Sequence, residues 1–126
     1  MSGFSPINEL EISLVSAKAR QIAVEVFLRQ MLNSDLALPS ISEVGDDGNG
    51  FAPITYDRHG TPMLAAFTDP GRIGALSDVA QYCLVMNGLQ VLRRIPPGHG
   101  VVINPGLEMG LDLSPDGIKR ILSELV

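Results

Sequence analysis

At 126 residues, the chain has the length of one domain, which we expect to span residues 1–126. Hydrophobic residues make up 45% and charged residues 18%, a composition that excludes an intrinsically disordered chain. The net charge of -5 argues against the basic surface of a duplex-binding protein, and no apolar run reaches the about 18 residues of a membrane helix. We therefore expect a cytoplasmic protein that binds neither nucleic acid nor membrane.

The N-terminal third is predicted to be helical. Residues 8–33 contain no glycine or proline, and Asn8 suits a helix N-cap, with Glu11 placed to reach back to the cap amide. Apolar residues repeat at helical spacing in two stripes that do not join smoothly. The pattern predicts two helices, or one bent helix, with the break near Ala19.

The middle of the chain is predicted to supply strands. An extended segment before Pro39 is expected at a sheet edge, because proline cannot continue a hydrogen-bonded ladder. A polar loop at residues 40–49 follows it. Residues 51–56 and 61–67 form a predicted hairpin, whose turn contains His59 in an exposed position. The last residues of this hairpin are apolar throughout, which is typical of a central strand covered on both faces.

A short helix and a further strand are predicted next. Thr68 or Asp69 suits the N-cap of a short helix that has proline in its first turn. A strand is expected at residues 82–86, where Cys83 is interpreted as a buried small hydrophobic residue. As the chain's single cysteine, Cys83 cannot form an intrachain disulfide, which fits a reducing compartment. Asn87 and the glycine after it begin a helix that ends before the proline pair at residues 96–97.

The last thirty residues have the clearest pattern. An apolar strand at residues 101–103 leads into a turn at Asn104, followed by a second strand at residues 110–113. Ser114 suits the N-cap of a terminal helix, with proline in its first turn. Together the elements predict an α+β fold: a small mixed or antiparallel sheet of about five strands, flanked by helices, with two helices at the N-terminus and one at the C-terminus.

The chain resembles a known bacterial family. The resemblance rests on four segments in a fixed order: Met-Leu-Ala-Ala-Phe-Thr-Asp-Pro at 63–70, Asn-Gly-Leu-Gln-Val-Leu-Arg at 87–93, Gly-Val-Val-Ile-Asn-Pro-Gly at 100–106 and Leu-Ser-Pro-Asp-Gly-Ile at 113–118. With the two N-terminal helices, these segments are similar to the SseB N-terminal-domain family over nearly the whole chain. The resemblance implies an α+β fold and a bacterial cytoplasmic protein. It implies no reaction and no catalytic residues.

Four polar residues are candidates for a binding site. Asn104 follows one apolar strand, and Thr68 and Asp69 follow another, so these groups would cluster if both strands end at the same edge of the sheet. His99 lies between two glycines on a loop and could bind an anion or move a proton. Each residue also has a structural explanation as a cap or turn residue. We find no catalytic set, no metal-ligand spacing and no cofactor motif.

The leading functional hypothesis is a non-enzymatic protein-interaction or regulatory module with a protein partner that the sequence does not identify. The alternative is a small-molecule binding domain, with an amino acid as one candidate ligand, and an enzyme is less favoured. A homodimer is a further hypothesis. Its basis is that the N-terminal helices carry apolar residues on more than one face, including Val24 and Val26.

Overall fold

Four α-helices and six strands form the fold within residues 4–76 and 78–126, which are the residues that the computed structural model describes. The helices are α1 (Glu9–Lys18), α2 (Val24–Leu32), α3 (Gly88–Arg94) and α4 (Pro115–Glu124), with a 3-10 helix at Pro70–Leu76. The strands are β1 (Asp35–Ser40), β2 (Thr55–Arg58), β3 (Thr61–Ala66), β4 (Tyr82–Asn87), β5 (Gly100–Ile103) and β6 (Leu111–Leu113). The predicted α+β class is confirmed.

The strands form a mixed arrangement in two parts. The larger sheet has the order β2-β3-β5-β6, in which β3 and β5 are parallel and the other two pairs are antiparallel. β1 and β4 form a separate antiparallel pair. Two isolated bridges, Ala37 with Phe67 and Ser40 with Pro53, connect this pair to the larger sheet. These bridges reach the residue after β3 and a residue shortly before β2, so the pair lies beside the larger sheet.

The expectation that the segment before Pro39 lies at a sheet edge is wrong. β1 is buried from its second residue onward, and β4 pairs with it along its whole length. On the opposite side, Ala37 exchanges two backbone hydrogen bonds with Phe67, at 2.9 and 2.8 Å. Pro39 has the same orientation as Ala37, since backbone groups alternate in direction along a strand, so its missing N–H is on the side away from β4. Among the described residues, β4 pairs with β1 alone, so the free edge of this pair belongs to β4.

The local signals at helix and hairpin ends are confirmed. Asn8 caps α1 by accepting a hydrogen bond from the N–H of Glu11 at 2.8 Å, and Ser114 caps α4 in the same way. Asn87 caps α3. α1 ends at the predicted break, where Arg20 has a positive φ of 60°. The predicted hairpin is present, but its first strand runs over residues 55–58 and not 51–56, so the turn consists only of His59 and Gly60. Both have positive φ, as a tight hairpin turn requires.

The core lies between the helices and the inner face of the sheet. Its largest fully buried side chains include those of Phe27, Leu14, Leu36 and Ile103. The interpretation of Cys83 as a buried residue is wrong: its side chain lies on the exposed face of β4. In that strand the alternate residues Leu84 and Met86 pack against the core instead. The strand itself was predicted correctly, but its inward face was assigned to the wrong residues.

Candidate functional site

The parallel pairing of β3 and β5 brings two of the candidate residues together. Both strands end at the same edge of the sheet, and Thr68 and Asn104 follow these ends. The N–H of Thr68 donates to Oδ1 of Asn104 at 3.0 Å, and Nδ2 of Asn104 donates to Oγ1 of Thr68 at 3.0 Å. Nδ2 of Asn104 also donates to the carbonyl of Met109 at 3.0 Å. Both side chains are almost completely buried, with 3% and 1% exposure.

Glu11 joins this pair from α1. Its side chain is fully buried, and its Oε2 accepts a hydrogen bond from the hydroxyl of Thr68 at 2.6 Å. Its Oε1 accepts from the N–H of Ile7 at 3.0 Å, the residue before the helix cap. The predicted contact with the cap amide itself is therefore wrong. The sequence predicted an acidic first turn, but the carboxylate of Glu11 bonds to Thr68 in the protein interior as well as to Ile7 in the preceding segment.

Arg72 in the 3-10 helix completes the cluster. Its guanidinium donates to both carboxylate oxygens of Glu11, at 2.7 and 3.0 Å, in the forked geometry that favours an Arg–carboxylate pair. It also donates to the carbonyl of Ser5 at 2.6 Å and lies 4.2 Å from the ring centroid of Phe4. Nδ2 of Asn8 donates to the carbonyl of Thr68 at 3.0 Å, and we call the cluster of Asn8, Glu11, Thr68, Arg72 and Asn104 the polar junction. It fastens the N-terminal segment to the end of β3.

The charge state of the junction follows from these contacts. Burial by itself raises the pKa of the Glu11 carboxyl group, but hydrogen bonds from Arg72 and Thr68 favour the ionised form. With the amide of Ile7 and the charge of Arg72, they outweigh burial and hold the pKa below its ordinary value. Glu11 is therefore a carboxylate at neutral pH. Since that carboxylate accepts the single hydroxyl proton of Thr68, Oγ1 of Thr68 is left as the acceptor for Asn104.

The junction is saturated with internal hydrogen bonds. Across residues 4–76 and 78–126, no buried side-chain nitrogen or oxygen lacks a hydrogen-bond partner. Thr68 and Asn104 thus use their polar atoms to hold the fold, and a ligand would have to displace those bonds. The geometry assigns these two residues a structural role. Their predicted role in binding stays a prediction.

An open cleft of about 540 Å³ lies beside the junction, and Thr68 and Asp69 are among its lining residues. Asp69 is half-buried and accepts a hydrogen bond from the N–H of Gly71 at 2.8 Å, as expected of a cap. The carboxyl groups of Glu9 and Asp35 line the same cleft. Within the described part of the chain, no three His, Cys, Asp or Glu side chains are arranged to hold a metal ion.

The other two candidate residues, Asn104 and His99, do not line this cleft. Asn104 lines a separate depression of about 310 Å³, formed with the loop after β5. His99 precedes β5, whereas Asn104 follows it, so the two residues lie at opposite ends of that strand. The ring of His99 is half-exposed, and its Nδ1 lies 3.2 Å from the carbonyl of Pro97. The four candidates therefore do not share one cleft.

The free edge of β4 is the second notable feature. Because Ala37 directs both backbone groups toward Phe67, its neighbour Leu38 directs its own toward β4, where Leu84 is the opposite residue. The alternation of backbone groups then turns the N–H and C=O of Cys83 away from β1. The same holds two residues further on, at Val85.

The side chains along this edge are exposed and uncharged. Tyr82 is 41% exposed and Val85 50%, and Val79 just before the strand is 59% exposed. Nearby protein atoms desolvate the thiol of Cys83 enough to raise its pKa, which makes it less nucleophilic at neutral pH. We call Val79, Tyr82, Cys83 and Val85, with the outward backbone of the last two, the β4 edge.

The sequence of this chain matches one known protein family. The model of the SseB protein N-terminal domain matches residues 10–120, which is most of the chain. The chain belongs to the SseB N-terminal domain family. No curated protein and no solved structure gives a significant match. In this SseB domain, no helix of the described residues is long and apolar enough to cross a membrane.

Sequence reasoning missed Glu11 and Arg72 as partners in the polar junction. One signal was present: Glu11 lies between Leu10 and Leu14, on the face of α1 that is directed to the core. A carboxylate in such a position requires a buried partner. Arg72 gave no comparable signal, since its contact with Glu11 spans 61 positions. The β4 edge was also missed, although residues 79–92 contain no charged residue.

Proposed function

We propose that this SseB domain is a non-enzymatic protein-interaction or regulatory module that binds an extended protein segment at the β4 edge. The observation that carries the proposal is the outward direction of the backbone groups of Cys83 and Val85. Such groups can pair with an added strand, a recurring mode of peptide recognition. The exposed side chains of Tyr82 and Val85 would contribute apolar contacts beside that strand. The family resemblance supports a bacterial cytoplasm as its location.

The charges on the other strands support the choice of edge. Charged residues on an edge strand discourage pairing with other chains. β2 carries Asp57 and Arg58, and Arg58 forms an ion pair with Asp112 of β6 at 3.2 Å. β4 has no charged residue, so it lacks this protection. An unprotected edge is the expected property of a surface that has a partner.

The saturation of the polar junction supports the non-enzymatic part of the proposal. The carboxylate of Glu11 forms four hydrogen bonds or ionic contacts with Ile7, Thr68 and Arg72. A general base needs a lone pair that can reach a substrate proton. At the junction, the carboxylate is fully buried and its oxygens are already engaged.

The test is photocrosslinking in the native host. A benzophenone amino acid replaces Tyr82, and the control replaces Ile12, which is 55% exposed on α1. We expect a discrete crosslinked product from position 82 and none of the same mass from position 12. Val85→Pro, combined with the position 82 probe, should abolish the product, because proline cannot donate a backbone hydrogen bond to an added strand. A product that persists unchanged in this background would contradict the proposal.

A small-molecule binding domain is the second candidate, and an apolar pocket favours it. The pocket has a volume of about 290 Å³, and Arg94 and Asp47 line it together with apolar side chains such as those of Phe51 and Ile95. Small-molecule sites commonly combine an apolar lining with a few polar groups. An amino acid with an apolar side chain would match the two opposite charges.

The second candidate is tested by thermal denaturation in the presence of leucine, methionine and serine at 10 mM. Ligand binding to the folded state alone raises the melting temperature. A rise with leucine or methionine that Arg94→Gln removes would support it. Arg93→Gln is the matched control, since Arg93 is exposed and does not line the pocket. An unchanged melting temperature with all three amino acids would contradict this second candidate.

A further inference from the structure

We infer that the β4 edge pairs with the β4 edge of a second copy of this chain, antiparallel across a two-fold axis, to form a homodimer. The inference rests on the proposed function, since it names the partner of the same edge. An interface across a two-fold axis uses one surface patch twice, so that patch must be complementary to itself. The β4 edge meets this requirement in its backbone, its charge and its side chains.

The backbone geometry restricts the register of the pairing. Residues that exchange hydrogen bonds between antiparallel strands must both direct their backbone groups outward. In β4 these include Cys83 and Val85. A two-fold axis at Leu84 places Cys83 of each copy opposite Val85 of the other, so each of these residues can bond through both its N–H and its C=O. The same axis places Tyr82 opposite Met86 of the second copy, and most of the strand is paired.

The charge distribution favours a second copy at this edge. Each chain has a net charge of -5, so two copies repel one another unless they meet at an uncharged surface. Residues 79–92 form the longest uncharged segment of the chain. At the edges of the larger sheet, by contrast, Asp57 and Arg58 lie on β2 and Asp112 lies on β6. Charged side chains on an edge strand discourage pairing with another chain.

The N-terminal helices offer a competing surface. Val24 and Val26 on α2 are each 50% exposed, and they were the basis for a homodimer in the sequence analysis. Glu25 and Arg29 form an exposed ion pair on the same helix, at 3.6 Å. A helix has no free backbone ladder to pair, whereas β4 does. The geometry therefore points to β4 for the dimer.

The test is sedimentation velocity of the purified chain from about 1 μM to about 1 mM. We expect the wild-type mass to rise from 13.5 kDa toward twice that value. Val85→Pro should stay at the monomer mass, with association weakened at least tenfold. The N–H that proline removes points away from β1, so the β1–β4 ladder keeps its hydrogen bonds. Val85→Thr, which keeps both the N–H and the branched side chain, should associate within threefold of wild type.

Two further variants make each outcome decisive. If Val85→Pro does not fold by circular dichroism, Val85→Lys replaces it, because a lysine on an edge strand opposes pairing. Val26→Lys tests the helical surface and should leave the dimer unchanged. A dimer that Val26→Lys disrupts and the Val85 variants do not would overturn the inference.

A wild-type chain that remains monomeric at 1 mM would also overturn the inference. The proposed function would survive that result if the crosslinked product from position 82 still forms and contains a different protein. A failure of the homodimer and a failure of the proposed function therefore give different results.

Discussion

Replacing Glu11 with glutamine should destabilise this SseB domain by about 3 kcal/mol. Glutamine has the same shape, but it lacks the charge, and its amide NH2 group would face donors that now bond to a carboxylate oxygen. Removing one partner of a buried ion pair costs about 3–5 kcal/mol, because the other charge stays buried and unpaired. Arg72 retains 20% side-chain exposure and can recover some hydration, so the lower end of this range applies.

The assay is thermal unfolding at pH 7, followed by circular dichroism. The unfolding entropy of a chain of 126 residues makes 1 kcal/mol correspond to about 3.8 °C, so the loss of about 3 kcal/mol in Glu11→Gln should lower the midpoint by about 11 °C. Glu9→Gln is the matched control. Glu9 is exposed in the same first turn, where a charge contributes about 0.3–1 kcal/mol through the helix dipole. Equal midpoints for the two variants would refute the structural importance of the Glu11–Arg72 pair.

Glu11 should also make the stability of the domain depend on pH. The pKa of Glu11 is lower in the folded protein than its ordinary value, so the ionised form contributes to stability. This contribution is complete above the ordinary glutamate pKa of about 4.3, and it is lost as the pH falls through the folded-state value. The stability difference between wild type and Glu11→Gln, measured by urea unfolding, should be constant from pH 7 to pH 6. It should shrink below about pH 4, and a constant difference down to pH 3 would contradict the assignment.

Two further substitutions test the fold around the junction. Asn104→Ala should lower the free energy of unfolding in urea by about 2–4 kcal/mol, because it leaves the N–H of Thr68 unpaired and forces alanine into a φ of 56°. Asn104→Gly also leaves that N–H unpaired, but glycine adopts a positive φ without strain, so this variant should cost about 1 kcal/mol less. Gly88→Ala should destabilise the domain by more than about 2 kcal/mol, because the added Cβ would collide with the carbonyl of Met31. Gly74→Ala is the control, and it should stay within about 0.5 kcal/mol of wild type because the space around Gly74 is open. An Asn104→Ala cost below 1 kcal/mol, or equal effects of the two glycine variants, would contradict the packing described above.

The elements that local sequence determines were predictable. The caps at Asn8, Asn87 and Ser114 depend on side chains a few residues from the backbone groups that they bond. The hairpin turn at residues 59–60 likewise depends on its own backbone preferences. These signals need no knowledge of the tertiary structure, and the α+β class follows from their order.

The features that depend on distant contacts were not predictable. Proline at position 39 is typical of an edge strand, yet β1 has β4 on one side and isolated bridges at Ala37 and Ser40 on the other. The missing N–H of Pro39 lies on the second side, where neither bridge includes it. Cys83 was assigned to the core because it lies in a segment that is apolar throughout, and such a segment does not show which face of the strand is inside. The meeting of Thr68 and Asn104 was predicted only on the condition that their two strands end at the same edge, because the parallel pairing of β3 and β5 depends on contacts far apart in sequence. The hydrogen bond between the hydroxyl of Thr68 and the carboxylate of Glu11 also joins residues far apart in the sequence.

The central claim is that β4 presents an open backbone edge. Hydrogen–deuterium exchange at single-residue resolution, at about 1 μM protein, tests it most directly. We predict that the amides of Cys83 and Val85 exchange at least tenfold faster than those of Leu84 and Met86, which face β1. Slow exchange at all four positions in the dilute protein would show that the edge is covered within the chain itself, and would contradict the account.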